Sequence, residues 1–327
     1  MTADAIEAEK LSRRFGQLEA VKGIDLHVRA GEIFGFLGPN GAGKSTTISM
    51  LCTLLRPTSG RARVAGFDVG SEPDRVRSRI GLVFQDPSLD SQLSGRENLQ
   101  LHAYIYDMPA ALQKQRIPQV LEMVELTERA GSLVQTYSGG MRRRLEIARG
   151  ILHHPQVLFL DEPTLGLDPQ TRRHIWTYLN DLRRREGLTI FMTTHYMDEA
   201  EFCDRIAVID HGTIVALGTP DELKSTVGGD VITITTEDNE RAREELVTRF
   251  GLQPQGRDGE LWFEAQDGQA LVPQLSRDLN VRVNTVAVRR PSLDDVFMKL
   301  TGRAIRDEEA SQMDQMRGAM RVWQRRR

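Results

Sequence analysis

Residues 38–46 read Gly38-Pro39-Asn40-Gly41-Ala42-Gly43-Lys44-Ser45-Thr46, an ungapped match to the phosphate-loop pattern G-x-x-x-x-G-K-[ST]. The residue types follow from the chemistry. Glycines let backbone N–H groups turn inward and approach phosphate oxygens, and a following helix directs its positive end at them. In this pattern Lys44 reaches the β- and γ-phosphates of a nucleoside triphosphate, while the Ser45 hydroxyl ligates Mg²⁺. The flanks agree: 32–37 is a short run of buried-strand character, and 46–55 carries apolar residues at helical spacing.

Working outward, Val157-Leu158-Phe159-Leu160-Asp161-Glu162-Pro163 is an apolar strand ending in two carboxylates. Such a strand delivers Asp161 beside the phosphate loop, where it can hold Mg²⁺ directly or through water, and leaves Glu162 to polarise an attacking water. Asp168-Pro169 starts a helix, Ile175, Tyr178, Leu179 and Leu182 line one face of it, and Gly187 stops it. Residues 188–192 read as a strand, and 206–209 and 213–217 as a hairpin across Asp210-His211-Gly212. Upstream, 6–28 alternates as antiparallel strands broken at Gly16 and Gly23. Leu99, His102, Tyr106, Val120, Met123 and Val124 place helices in 94–129. Ser138-Gly139-Gly140 opens a further helix as a second anion site. Strands alternating with helices around a phosphate loop predict a mainly parallel sheet.

After Pro220 the pattern becomes β-α-β-β-α-β, with 252–255 as its weakest strand, which predicts a small ferredoxin-like module. A chain of 327 residues suits one large and one small domain. With 39% hydrophobic and 27% charged residues it reads as globular, and a net charge of -3 argues against a nucleic-acid-coating protein. No apolar run approaches the roughly 18 residues of a membrane span, and the acidic N-terminus has no secretory leader pattern, so the chain is not expected to cross a bilayer by itself. Cys52 and Cys203 have no metal-ligand spacing and read as small buried hydrophobes in a reducing compartment. An Asn-Lys-x-Asp guanine-reading motif is absent.

Taken in order, Phe15, residues 38–46, Gln85 in Val83-Phe84-Gln85-Asp86, Tyr137-Ser138-Gly139-Gly140-Met141, residues 157–162, Leu165-Gly166-Leu167-Asp168 and His195 resemble the motif set of the ATP-binding cassette (ABC) ATPases. The resemblance covers 6–218. It implies an α/β phosphate-loop cassette with a mainly parallel core, an antiparallel β subdomain and a helical subdomain. It implies Mg²⁺-dependent ATP hydrolysis, with Glu162, His195 and Gln85 as catalytic residues. Phe15 would stack on adenine, 38–46 would hold the phosphates, and Ser45, Gln85 and Asp161 would hold Mg²⁺. His195 would hydrogen-bond the γ-phosphate. In this family Ser138, Gly139 and Gly140 of one copy cover ATP on the other, with Asp168 in the adjoining loop. One phosphate loop per chain therefore implies a symmetric homodimer with two equivalent sites. Tyr137 and Met141 depart from the usual Leu and Gln, and Gly166 from the usual Ala; none replaces a phosphate-contacting residue.

The ending Pro291-Ser292-Leu293-Asp294-Asp295-Val296-Phe297-Met298-Lys299-Leu300-Thr301-Gly302 is similar to that of the ATPase subunits of daunorubicin-resistance-type (ABC-2 class) drug exporters. Leu293, Val296, Phe297 and Leu300 form its apolar stripe. This likeness implies domains at 1–220 (helical insert about 90–150) and 221–303, and a basic tail at 304–327. It implies an ATPase driving efflux of a drug or other amphipathic molecule through separate transmembrane permease subunits. The protein would dock by the helical insert near Gln85, at the cytoplasmic face of the membrane. Export of lipid, glycan or peptide, or a non-transport ABC ATPase, are the alternatives. Against the last, no sustained heptads lie between Gln85 and Ser138. Met313, Met316, Met320 and Trp323 beside Arg317, Arg321, Arg325, Arg326 and Arg327 offer either a membrane-surface or docking helix or a solvated tail. Arg142, Arg143 and Arg144 read mainly as a helix surface, and His153 and His154 as structural.

Overall fold

Ile33–Leu37 is buried at every position, and a strand with no solvated face must be central in a sheet covered on both sides. The computed structural model, which describes residues 4–302 apart from Pro87 and Asp258, places it there. The chain opens with the antiparallel pair β1 (Asp4–Phe15) and β2 (Leu18–Arg29), then β3 (Ile33–Leu37), α1 (Lys44–Leu51), β4 (Ser59–Val64), β5 (Phe67–Asp68), α2 (Pro73–Arg77) and β6 (Ile80–Val83). Helices α3 (Gly95–Ile105), α4 (Ala110–Met123) and α5 (Gly139–Ile151) form the insert. Next come β7 (Val157–Asp161), α6 (Pro169–Glu186), β8 (Thr189–Thr194), α7 (Met197–Ala200), β9 (Arg205–Asp210) and β10 (Thr213–Gly218).

Two sheets result. One, in the order β2-β1-β4-β5, is antiparallel; the other has the order β10-β9-β3-β8-β7-β6, with β9, β3, β8, β7 and β6 mutually parallel. Phe191 on β8 packs its ring against Phe34, Phe36 and Phe159, with centroids 5.5–5.7 Å apart, so the central strands are fixed by interlocked aromatics as well as by hydrogen bonds. The fold is thus the α/β arrangement that the alternation of strands and helices predicts.

Helix α1 spans Lys44–Leu51 rather than 46–55. Thr53 turns left-handed (φ 62°), and the N–H groups of Leu54 and Leu55 return to Ser49 O at 2.9 and 3.0 Å; the apolar pattern continues through this stop and conceals it. Helix α6 begins and ends as expected: Asp168 accepts from the N–H groups of Gln170 and Thr171, and Gly187 closes it in the left-handed region. Its buried face is Ile175, Trp176, Leu179 and Leu182, with Trp176 added to the predicted stripe and Tyr178 at its margin.

The chain divides into two compact units, the first running to Leu217 and the second from Gly218. The second contains α8 (Pro220–Ser225), β11 (Asp230–Thr236), α9 (Asn239–Phe250), β12 (Gln255–Arg257), β13 (Glu260–Ala265), α10 (Gly268–Asp278), β14 (Val283–Arg289) and α11 (Leu293–Thr301). Its antiparallel sheet has the order β12-β13-β11-β14, the strand order of a ferredoxin-like β-α-β-β-α-β module. The weak strand lies at Gln255–Arg257, not 252–255, because the Leu252 N–H bonds Leu246 O (3.0 Å) to finish α9. On α11, Leu293, Val296 and Phe297 are buried but Leu300 is 42% exposed, so the predicted stripe is one residue too wide. The predicted basic tail at 304–327 lies outside the described residues. Among those described, no helix is long and apolar enough to cross a membrane.

Candidate functional site

Strand β3 runs directly into the glycine-rich loop. Gly38 N–H donates to Thr194 O (3.2 Å), which ties the loop to the end of β8. A Cβ on Gly38 would lie 2.2 Å from Ile209 O, so no side chain fits there; Gly43, at φ 108°, holds the left-handed turn from which α1 starts. These two constraints explain glycine at each position. Lys44 folds back over the loop, its buried Nζ donating to Gly38 O (2.8 Å) and Pro39 O (3.1 Å). Pro39 and Ala42 are buried, Asn40, Gly41 and Ser45 exposed, and Thr46 half-buried.

The acidic side comes from β7, whose register sets Asp161 opposite Thr193 of β8. Thr193 Oγ1 donates to Asp161 Oδ1 at 2.5 Å, and Ser45 Oγ reaches the same oxygen at 3.3 Å. The Glu162 N–H donates to Thr193 Oγ1 (3.1 Å). Glu162 sits at φ 46°, a conformation that costs a non-glycine residue about 1–3 kcal/mol unless its surroundings hold it. Its Oε1 meets Lys44 Nζ at 3.3 Å and His195 Nδ1 at 3.2 Å. Burial raises the Glu162 carboxyl, but the His195 hydrogen bond and the Lys44 charge outweigh it and hold the group below its ordinary value. A buried carboxylate kept ionised beside a phosphate loop can orient water. Ser45 and Asp161 offer a hydroxyl and a carboxylate, a hard-oxygen donor pair of the kind Mg²⁺ takes alongside phosphate oxygens. Among the described residues, no group of three or more His, Cys, Asp or Glu could hold a metal by itself.

Behind this cluster, Glu199 accepts from Thr194 Oγ1 (2.7 Å) and from Thr164 Oγ1. Burial pushes its carboxyl up to about 7.

Phe15, at the end of β1, is 46% exposed, with the Arg13 guanidinium 4.6 Å from its ring centre. Gln85 is exposed just beyond β6. Ser138 caps α5, its Oγ accepting from Met141 N (3.2 Å), with Gly139 exposed and Gly140 half-buried beside it. A Cβ on Gly140 would lie 2.6 Å from Thr171 Cγ2. Asp168 is exposed and occupied in capping α6.

The reading of Arg142–Arg144 as helix surface fails at its centre: Arg143 is buried, donating to the carbonyls of Phe84, Asp161 and Pro163. Sequence reasoning also missed Thr193, whose hydroxyl joins the two acidic residues; a polar Thr193-Thr194 pair closing an apolar strand just before His195 was the available signal. His153 is structural, with Nε2 against Ile80 O (2.9 Å) and its ring stacked on Tyr106. Cys52 and Cys203 are buried and free.

Comparison with known proteins bears on both units. Residues 21–165 match the ABC transporter family, and 218–301 match the family described as ATP-binding protein DrrA1-3-like, C-terminal domain. The daunorubicin/doxorubicin resistance ATP-binding protein DrrA of Streptomyces peucetius is 42% identical over 325 residues, 95% of this chain and 98% of its own. The Nod factor export ATP-binding protein I of Ralstonia nicotianae is 39% identical over 307 residues, 92% of this chain and 95% of its own. Among solved structures, the dimeric post-hydrolysis state of the ATP-binding cassette MJ0796, bound to ADP and Pi, aligns with a TM-score of 0.59 at 28% identity, over 65% of this chain and 98% of that one.

Proposed function

The chain belongs to the ABC transporter family of ATP-binding proteins, and from that premise we propose that it is the Mg²⁺-dependent ATPase of an exporter, acting through a separate membrane permease. The observation that carries this reading is the convergence of Lys44, Ser45, Asp161, Glu162, Thr193 and His195 in one continuous set of contacts at the end of β3, β7 and β8. Lys44 and the 38–46 backbone hold the phosphates of ATP, and Phe15 stacks on the adenine. Ser45 and Asp161, with Gln85, hold Mg²⁺, which neutralises phosphate charge when bound. Glu162, ionised against burial, orients the water that attacks the γ-phosphate; His195 holds Glu162 and contacts that phosphate.

The solved relative is a dimer, and in the present chain Ser138, Gly139 and Asp168 are exposed and Gly140 half-buried. A second copy presents those residues to the nucleotide, so that ATP closes the homodimer and hydrolysis reopens it. The permease docks on the helical insert, where Tyr104 and Ile105 of α3 are 66% and 68% exposed, apolar surface that suits a partner. Docking there keeps the protein at the cytoplasmic face of the membrane. Streptomyces peucetius DrrA, named for daunorubicin and doxorubicin resistance, supports a drug or similar amphipathic molecule as cargo. The relative named for Nod factor export supports a cargo other than a drug as second reading; the permease decides between them.

Glu162→Gln tests the site. The variant is expected to bind ATP with unchanged affinity, to lose turnover by about 10²- to 10⁴-fold, and to run as a dimer with ATP and a monomer with ADP in light-scattering chromatography. Full hydrolysis by this variant, or no ATP-dependent dimer, removes the corresponding half of the proposal.

A further inference from the structure

We propose that Arg143 is a positioning residue for hydrolysis: its guanidinium, braced by Glu146, fastens α5 both to the turn that holds Glu162 and to the loop that carries Gln85. The inference rests on the reading of Glu162 as the hydrolytic carboxylate.

Three segments far apart in sequence meet on this one side chain. Arg143 Nε donates to Pro163 O at 2.6 Å and Nη2 to Asp161 O at 3.2 Å. Those carbonyls lie on either side of Glu162, whose left-handed backbone needs a surrounding that over-determines it. Arg143 Nη1 donates to Phe84 O at 2.6 Å, immediately before Gln85, and to Glu146 Oε2 at 3.0 Å. The other Glu146 oxygen accepts from Ser88 N (2.9 Å), and Arg149 Nη1 donates to Ser88 O (2.7 Å). One face of α5 therefore holds the Gln85 loop at both ends.

Helix α5 has little freedom of its own against β6, the strand that feeds this loop. A Cβ on Gly81 would lie 2.1 Å from Gly150 O, so strand and helix backbones are in direct contact. Arg143 and Glu146 are both buried. A buried ion pair is weak grounds for stability and is often replaceable by apolar residues. Here, however, the guanidinium is spent on backbone carbonyls of the two loops that flank the chemistry. Its planar fork meets acceptors in three directions, which a lysine ammonium on a flexible stem cannot match. A push on the Gln85 loop by a docked partner is thus transmitted to the carbonyls beside Glu162 through a single rigid group.

The test is steady-state ATP hydrolysis by the full chain carrying Arg143→Lys or Arg143→Ala, with nucleotide affinity measured separately. The expected result is an ATP Kd within about twofold of the parent and a kcat lowered by about 10- to 100-fold, the cost of a small displacement of a catalytic group. Millimolar guanidinium should restore part of kcat to Arg143→Ala and none to Glu162→Gln. Unchanged kcat in both variants, or a Kd that rises in step with the fall in rate, would overturn the proposal. Arg143→Lys carries the test if Arg143→Ala aggregates; aggregation of both would make Arg143 a folding residue and overturn it too. The Glu162→Gln control separates the two ideas. If that variant is fully active, the reading of Glu162 fails; if it is dead while Arg143→Lys turns over normally, only the role of Arg143 fails.

Discussion

In the first unit Glu32, Lys44, Arg116, Arg143, Glu146, Asp161, Glu162, His195, Glu199 and Asp210 are all buried, whereas in the second, among the described residues, Asp295 is the single buried charged side chain. The second unit is held by an apolar cluster that includes Ile232, Ile234, Leu246, Leu261 and Phe263, and pairs such as Lys299 with Glu264 and Arg249 with Glu245 stay near its surface. Taking an ion out of water costs several kcal/mol unless partners replace the water. A module that only has to fold avoids that cost. A unit that gathers Lys44, Asp161, Glu162 and His195 at one sheet end bears that cost, as expected where buried charges serve chemistry.

If that contrast is sound, its largest consequence is at Lys44. Lys44→Ala should lower ATP affinity by about 100-fold, the loss of some 3 kcal/mol of charge-assisted hydrogen bonding, and should also lower the thermal transition of the ATP-free protein, because Glu162 is left buried without its cationic partner. Nucleotide-binding fluorescence checks this, and unaltered affinity would break the contrast at its centre. Next is Glu199, whose folded value of about 7 stands above its ordinary 4.5. The folded chain therefore binds that proton more tightly than the unfolded chain. The stabilisation is complete below the ordinary value and is lost as pH rises through 7. Relative to Glu199→Gln, the parent should lose up to about 3 kcal/mol between pH 5 and pH 8, read from urea unfolding at the two pH values. A difference that is constant with pH would show that Glu199 is ionised in both states.

What could be read in advance follows the kind of constraint involved. The phosphate loop was legible because its constraints act on the backbone: Gly38 has no room for a Cβ and Gly43 takes a left-handed turn, and only glycine answers both. The Asp161–Glu162 strand end was legible because it interrupts an apolar run. Thr193 was not, since threonine in a strand is ordinary and only the register of β8 against β7 sets it opposite Asp161. Arg143 was hidden between two other arginines; which of the three points inward depends on where α5 meets β6, a tertiary fact. The end of helix α1 is hidden for the converse reason, because Leu54 and Leu55 keep the apolar pattern alive past a left-handed Thr53. Phe15, Gln85, Ser138 and Asp168 could be named from motif order, although the contacts that Phe15, Ser138 and Asp168 make within one chain are with near neighbours in sequence.

Thr193→Val keeps the shape of the side chain and removes its hydroxyl, leaving Asp161 Oδ1 and the Glu162 N–H without that partner. An abandoned buried polar group costs about 1–3 kcal/mol, so a lower melting point should accompany slower turnover. Equal stability would mean that water replaces the hydroxyl and that the site is less closed than its burial suggests.

The smallest effect belongs to Asp295, the second unit's one buried charge among the described residues. Asp295 is gripped by Arg289 through both carboxylate oxygens, at 2.5 and 2.7 Å, and accepts from Ser292 N (2.8 Å) and Ser292 Oγ (2.7 Å) at the start of α11. Burial raises its carboxyl, but the Arg289 and Ser292 hydrogen bonds outweigh that and hold it below the ordinary value. Its stabilisation is therefore present above the ordinary carboxylate range and is lost as pH falls through the depressed folded value. Because Arg289 is itself half-exposed, solvent screens the pair. Asp295→Asn should then cost only about 1–2 kcal/mol, mostly as a lost helix cap. Faster hydrogen exchange at the amides of α11 should report it at pH 7, with the gap between variant and parent closing on acidification below about pH 4. ATP hydrolysis should stay at the parent rate. A fall in turnover from this substitution would mean that Asp295, the one carboxylate buried in the second unit among the described residues, is tied to the chemistry after all, and that a buried charge does not separate a working unit from a purely structural one.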